Sequence, residues 1–97
     1  MHCDKPAGSY CRRSHHACDA NPHDPTHGLH EGNESLVACQ ALCTANAQCD
    51  CLSYTTADPK GKAKSLCKTF RGVTSLKAID HRDAYVPAGK GASAAPD

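Results

Sequence analysis

The spacing of eight cysteines constrains this 97-residue chain more than any other feature of its sequence. The intervals between successive cysteines contain no repeated block, which favours one domain over a tandem. An even number of cysteines in so short a chain is typical of a disulfide framework formed in an oxidising compartment. The sequence therefore predicts a secreted, disulfide-bonded module. Its cysteines are Cys3, Cys11, Cys18, Cys39, Cys43, Cys49, Cys51 and Cys67.

The hydrophobic core available to this chain is small. Leu, Ile, Val and Phe together provide only 11 residues, the sequence has no Trp, and Phe70 is its one phenylalanine. A short chain with so little apolar surface does not offset the entropy lost on folding unless covalent links assist it. Four bridges of about 2–4 kcal/mol each would supply that assistance.

Zinc binding is the alternative use of these thiols. Cys39, Cys43, Cys49 and Cys51 offer four soft ligands in one short stretch, and structural zinc sites use cysteine pairs two to four residues apart. Such a site would leave the other four cysteines without a role. We therefore favour disulfides and expect neither a metal site nor a cofactor.

The middle of the chain carries the clearest secondary-structure signal. Ser35 is a good N-cap, and Cys39 and Cys43 share one helical face. These features predict a helix over residues 35–46. Asn46 is expected to end it in a left-handed conformation.

Three strands are predicted after the helix. Residues 49–56 alternate, with Leu52 and Tyr54 on one face and Cys51 on the other. After a turn and an exposed loop, further strands are predicted at residues 65–70 and 83–86.

The two ends of the chain differ from its middle. Residues 1–32 are rich in His, Pro, Asp and Asn, so cysteine-tethered loops are predicted over 3–32. Residues 87–97 have the composition of a flexible interdomain linker, which leaves a single domain over 1–86. Neither an export signal nor a membrane-spanning run is visible. We interpret the chain as one module of a larger secreted protein, without membrane insertion.

The stretch ESLVACQALCTANAQCDCLSYTT, followed by SLCKTF, resembles the PAN/apple domain family. The family pattern is a Ser-initiated helix with Cys-x-x-x-Cys, an Asn-containing turn, a further cysteine, and a strand with an apolar residue and a tyrosine. The resemblance covers about residues 33–86, the expected core, and departs at Thr69, where the family usually has leucine. The matching positions are Ser35, Cys39, Cys43, Asn46, Cys49, Leu52 and Tyr54.

The resemblance implies an α+β fold in which a curved antiparallel β-sheet cradles one α-helix. It also implies the bridges Cys39–Cys67 and Cys43–Cys49. Cys51 lies on the strand face opposite the apolar residues, so we expect it to hold the N-terminal segment. Four cysteines allow three connectivities, which leaves open the pairing of Cys3, Cys11, Cys18 and Cys51.

The additional cysteines, the long polar loop and the linker-like tail are similar to the tandem apple domains of microneme adhesins in coccidian parasites. This resemblance implies a secreted, non-enzymatic adhesion module, one of several in a microneme protein used in host-cell attachment and invasion. Its expected partners are proteins, host-cell glycans and neighbouring apple domains. The alternatives are the apple domain of a secreted serine-protease zymogen that binds its cofactor, and a structural spacer repeat.

Catalysis and nucleic-acid binding are disfavoured. The sequence has no hydrolase elbow, phosphate-binding loop or zinc-protease motif, and a full disulfide set leaves no thiolate for Cys–His catalysis. The histidines between residues 15 and 30 are interspersed with prolines, which favours a solvated loop over a helical metal site. The formal net charge of +1 does not favour a nucleic-acid partner.

Charge is unevenly distributed along the chain. Residues 60–90 hold eight basic and two acidic side chains, whereas residues 1–59 hold three basic and seven acidic. A basic cluster attracts anionic partners such as sulfated or sialylated glycans, or an acidic face of another protein. A sugar site also needs aromatic faces and polar groups for the hydroxyls. The candidate ligand-binding residues are Lys62, Lys64, Lys68, Tyr54, Phe70, Asp80, His81 and Tyr85.

Overall fold

The structure, a computed structural model, describes residues 3–6, 8–20, 24, 26–55 and 65–88. These residues form one antiparallel sheet in the strand order β1-β5-β3-β4-β2. One helix accompanies the sheet, so the domain is α+β. The elements are β1 (Tyr10–Cys18), β2 (Gly28–Gly32), α1 (Leu36–Ala45), β3 (Cys51–Thr55), β4 (Leu66–Phe70) and β5 (Leu76–Pro87).

Helix α1 begins and ends at residues that satisfy its terminal backbone groups. The Ser35 hydroxyl accepts a hydrogen bond from the Ala38 amide at 3.2 Å, which confirms the predicted N-cap. The predicted left-handed stop at Asn46 is wrong, because its φ is −102°. The Asn46 amide donates to the Leu42 carbonyl, and its side-chain oxygen accepts from the Gln48 amide at 2.9 Å. The helix therefore ends in a turn closed by the Asn46 side chain.

Most of the secondary structure predicted after residue 33 is present. The elements predicted at 35–46, 49–56 and 65–70 correspond to α1, β3 and β4. The strand predicted at 83–86 is longer than expected and begins at Leu76, because its first half pairs with β1. Residues 56–64, which include most of the predicted turn and loop, lie outside the described residues.

The prediction of loops over residues 3–32 is wrong, because this segment contributes both edge strands of the sheet. β1 pairs with β5 from Tyr10 opposite Pro87 to Cys18 opposite Leu76, and β2 pairs with β4. Side chains of an edge strand that face solvent need not be apolar. The two strands therefore lack the apolar alternation by which a sequence reveals a strand.

All eight cysteines are oxidised. The bridges Cys39–Cys67 and Cys43–Cys49 are the pairs that the apple resemblance implies. Cys51 holds the N-terminal segment through Cys18, and the remaining bridge closes an eight-residue interval between Cys3 and Cys11. None of these sulfurs is left as a thiolate that could bind zinc.

Each face of the sheet has its own buried cluster. On the face that α1 covers, here called the helix face, Leu52 and Tyr85 pack with the Cys39–Cys67 bridge. On the opposite face, here called the far face, the Cys18–Cys51 bridge packs with Phe70. The sheet is therefore covered on both sides, by the helix on one and by short connections on the other.

The C-terminal end of β5 is part of the fold. Pro87 and Ala88 are buried, and the Ala88 amide donates to the Ser9 carbonyl at 2.9 Å. The linker predicted over residues 87–97 therefore does not begin at Pro87, and residues 89–97 lie outside the described part of the chain. No helix of the described residues has the length and apolar character needed to cross a membrane.

Candidate functional site

The residues predicted to bind a ligand are dispersed. Lys62 and Lys64 lie outside the described residues. Phe70 is 2% exposed and packs in the cluster of the Cys18–Cys51 bridge, so core contacts occupy the ring that was expected to stack on a sugar. Tyr85 is 8% exposed and belongs to the helix-face cluster. Lys68 follows Cys67 in β4 and therefore faces away from the helix.

The structure brings Tyr54 and Tyr85 close together on the helix face. In the register of β3 and β5, Tyr54 lies opposite Asp83 and Tyr85 lies two residues further along, so the two rings are diagonal neighbours. Burial raises the pKa of the Tyr85 hydroxyl, and the nearby Arg12 guanidinium opposes that shift. Arg12 Nη2 donates to Asp83 Oδ2 at 2.9 Å.

Asp80 and His81 lie in a wide bulge between β1 and β5. Ala78 pairs with His16, but the next paired residue of β5 lies opposite Ser14, which leaves residues 79–82 without partners in β1. On β1, His15 is also unpaired, because the pairing passes from Ser14 directly to His16. The φ angles of His15 and His81 are 58° and 69°, a left-handed conformation that few residues other than glycine adopt.

The bulge determines which side chains of β1 share the far face. Side chains of a regular strand alternate, so Arg13 and His16, three residues apart, would point to opposite faces. The extra residue His15 shifts the alternation by one position and returns His16 to the face of Arg13. Asp83 stabilises this arrangement, because its Oδ1 accepts a hydrogen bond from the His15 amide at 3.2 Å.

An open groove of about 600 Å³ lies on this part of the far face. It is bounded by β1, by β5 and by the N-terminal segment that the Cys3–Cys11 bridge holds. Its lining combines apolar side chains with side chains that can carry a charge. The lining residues are Asp4, Lys5, Cys11, Arg13, His16, Leu76 and Val86.

The groove carries an excess of positive charge. The side chains of Lys5 and Arg13 make no hydrogen bond or ion pair with another described residue. His16 Nδ1 lies 2.9 Å from the Ser14 carbonyl oxygen, a contact that places a proton on Nδ1 and leaves Nε2 as the second ring nitrogen. Asp4, the acid among the described lining residues, already has a partner. Such a surface attracts anionic ligands.

The groove was not among the sites expected from the sequence, although a local signal was present. The net charge of residues 1–59 is negative, so a count over this whole range conceals the basic composition of β1. That strand contains two arginines, two histidines and no acidic residue. A charge count over shorter segments would have revealed this basic strand. The placement of Arg13 and His16 on one face, however, depends on the bulge.

A second group of side chains is structural. His30, Glu34 and Cys67 offer ligand atoms within 4.8 Å of one another, but the Cys67 sulfur is bonded to Cys39 and is no thiolate. His30 Nε2 lies 2.8 Å from Glu34 Oε1, and this hydrogen bond holds the pKa of Glu34 below its usual value. The pair links β2 to the residues that precede α1.

Searches against protein-family models, curated proteins and solved structures find no match to this chain.

Proposed function

We propose that this chain is a non-enzymatic extracellular binding module of the PAN/apple type, one of several in a microneme adhesin that attaches to host cells. One observation carries the proposal: α1 is attached to a five-stranded antiparallel sheet by Cys39–Cys67, and Cys43–Cys49 closes the turn after the helix. The apple resemblance implies the same two bridges and the same arrangement of helix and sheet.

The chemistry of the domain supports an extracellular binding role. Four disulfides in a chain of this size are typical of folding in an oxidising, secretory compartment. A bridged sheet fixes the backbone from which surface side chains project, so the backbone loses little further entropy when a ligand binds. The charged groove favours a binding role over that of a spacer repeat, since a spacer does not need a concave charged surface.

Binding to cells tests the proposal. The fluorescently labelled chain, with its four bridges verified by mass spectrometry, is added to cultured mammalian epithelial cells and measured by flow cytometry. We expect saturable binding that unlabelled chain displaces. The matched control is the same chain after reduction and alkylation, which we expect not to bind. Equal binding of the two forms, or no saturable binding of the folded form, would contradict the proposal.

Enzymatic treatment of the cells separates the two classes of partner. Sialidase and glycosaminoglycan lyases remove acidic glycans, whereas trypsin removes protein receptors. Loss of binding after the glycan-directed enzymes identifies a carbohydrate partner. Loss after trypsin alone identifies a protein partner.

A further inference from the structure

We infer that the groove between β1, β5 and the N-terminal segment binds an acidic saccharide, a sugar that carries a sulfate or a carboxylate. The inference rests on the proposed function, because it takes the domain to be an extracellular binding module. It places the ligand on the far face beside Arg13, a residue outside the basic segment at 60–90 that the charge distribution favours.

The cationic side chains of the groove suit an oxyanion. The planar guanidinium of Arg13 matches two oxygens of a sulfate or carboxylate, and Lys5 adds a second fixed positive charge. Neither side chain is paired with another described residue, so within the described part of the chain an incoming anion has no ion pair to displace. The His16 ring lies at the same surface.

The remaining lining suits the ring of a sugar. Leu76, Val86 and the Cys11 side chain supply apolar surface for the C–H face of the ring. The volume of about 600 Å³ lies within the range of small-ligand sites. None of the described lining residues is phenylalanine, tyrosine or tryptophan, so recognition depends on charge more than on stacking. A neutral sugar of the same size should therefore bind much more weakly.

An added peptide strand is the less favoured occupant. β1 is an edge strand, and an extended peptide can bind such an edge through its backbone. Here the bulge at His15 interrupts the regular run of β1, and the strand carries Arg12 and Arg13. Bulges and basic side chains are the features by which edge strands resist pairing with another strand.

Titration of the isotope-labelled chain with defined sugars tests the inference. The probes are lactose 3′-sulfate, 3′-sialyllactose, neutral lactose and inorganic sulfate, each followed by NMR of the backbone amides. We expect at least one acidic sugar to shift the resonances of β1 and the N-terminal segment, and its affinity to fall as salt is raised. The two acidic sugars distinguish a sulfate from a carboxylate as the recognised group.

Three results of this titration would overturn the inference. The first is that neither acidic sugar binds, and the second is that neutral lactose binds as tightly as the acidic sugars. The third is that inorganic sulfate binds as tightly as the sulfated sugar, because the site would then recognise an anion and not a saccharide.

Single substitutions locate the binding site. Arg13→Gln and Lys5→Gln each remove one positive charge from the groove, and we expect each to weaken binding of the acidic sugar about tenfold. Lys77→Gln is the matched control, because Lys77 is an exposed cation on β5 that does not line the groove. It should leave the affinity nearly unchanged. Equal losses in all three variants would indicate a general charge effect and overturn the assignment.

The cell assay keeps the inference separate from the proposed function. Saturable cell binding that survives both Arg13→Gln and the glycan-directed enzymes overturns the groove assignment and leaves the adhesion module standing. Sugar binding without any binding to cells has the opposite meaning, because it supports the groove and contradicts the adhesion role.

Discussion

The two faces of the sheet are stabilised by different means. Among the ten residues of α1, the buried side chains are Cys39 and Cys43, whereas Val37 and Leu42 are 77% and 40% exposed. On the far face, the Cys18–Cys51 bridge packs with apolar side chains. Amphipathic helices normally attach to a sheet by a broad apolar stripe. Helix α1 is instead attached chiefly through its sulfur atoms.

The two faces also differ in what they offer to a ligand. The helix occupies the helix face over β3 and β4, and its bridges take up the sulfurs of that face. The far face retains a charged groove beside β1, where Lys5 and Arg13 are available to solvent. A substitution in the groove should therefore change binding without changing the stability of the fold.

Removal of the bridge between the helix and the sheet has the largest expected effect, because it should cost both stability and the helix itself. In Cys39→Ala/Cys67→Ala, loss of a bridge that closes an interval of 28 residues lowers the free energy of unfolding by about 3.6 kcal/mol from chain entropy alone. A ten-residue helix is not stable alone in water. We therefore expect the helical signal in far-UV circular dichroism to be lost as well. Urea unfolding gives the free-energy change.

The far face provides the matched variant for this comparison. Cys18→Ala/Cys51→Ala opens a similar interval of 33 residues and should cost about 3.7 kcal/mol by the same entropy argument. Here the helical signal should persist, because both helix bridges remain. If the helical signal survives in the first variant too, apolar contacts suffice to hold α1 and the contrast between the faces is wrong.

The centre of the fold was predictable because its determinants are local. Ser35 caps the helix that follows it, and Cys39 and Cys43 reveal its inner face within one short stretch. The alternation from Cys51 to Thr55 is likewise visible in consecutive residues. The spacing of residues within one helix or strand determines which side chains share a face, so this pattern can be recognised in consecutive residues of the sequence.

The edge strands and the groove were not predictable because their determinants are non-local. β1 is a strand because it pairs with β5, which lies about 70 residues later in the chain. The polar sequence from Tyr10 to Cys18 contains no signal that identifies this partner. The joint placement of Arg13 and His16 depends on one unpaired residue, which Asp83 holds from another strand. A bulge changes the face of every later side chain.

Tyr10 tests whether polar contacts also help to hold the helix. Its hydroxyl donates to the Gln40 carbonyl at 2.7 Å and lies 2.7 Å from Thr44 Oγ1. Loss of these contacts in Tyr10→Phe should lower the free energy of unfolding by about 1 kcal/mol. Urea unfolding of the variant at neutral pH measures the change. An unchanged stability would show that the helix does not depend on this link to β1.

The same residue predicts a dependence on alkaline pH. Burial raises the pKa of Tyr10, although the Thr44 hydrogen bond opposes the shift. Because the folded state binds this proton more tightly than the unfolded state, the stabilisation is complete below the ordinary tyrosine pKa and is lost as pH rises through the raised value. Tyr10→Phe should therefore reduce the alkaline loss of stability. An identical alkaline loss in the variant would assign it elsewhere, for example to Tyr85, whose pKa burial also raises.

Ser53 should respond in the opposite sense, and the effect should be the smallest. Its hydroxyl is buried on the far face, 3% exposed, and has no hydrogen-bond partner among the described residues. An unpaired buried hydroxyl destabilises the folded state by about 1–3 kcal/mol, whereas its replacement by an apolar group of similar shape is nearly neutral. We therefore expect Ser53→Ala to leave the urea midpoint unchanged or to raise it slightly.

Whether Ser53→Ala raises or lowers the stability tests whether the two faces also differ in the pairing of their polar groups. Tyr10→Phe removes a paired hydroxyl from the helix face, and Ser53→Ala removes an unpaired hydroxyl from the far face, so each serves as the control for the other. If both variants lose stability to the same degree, the Ser53 hydroxyl behaves as a paired group, as a bridging water would make it. Polar pairing would then be common to both faces, and the bridges to α1 alone would distinguish them.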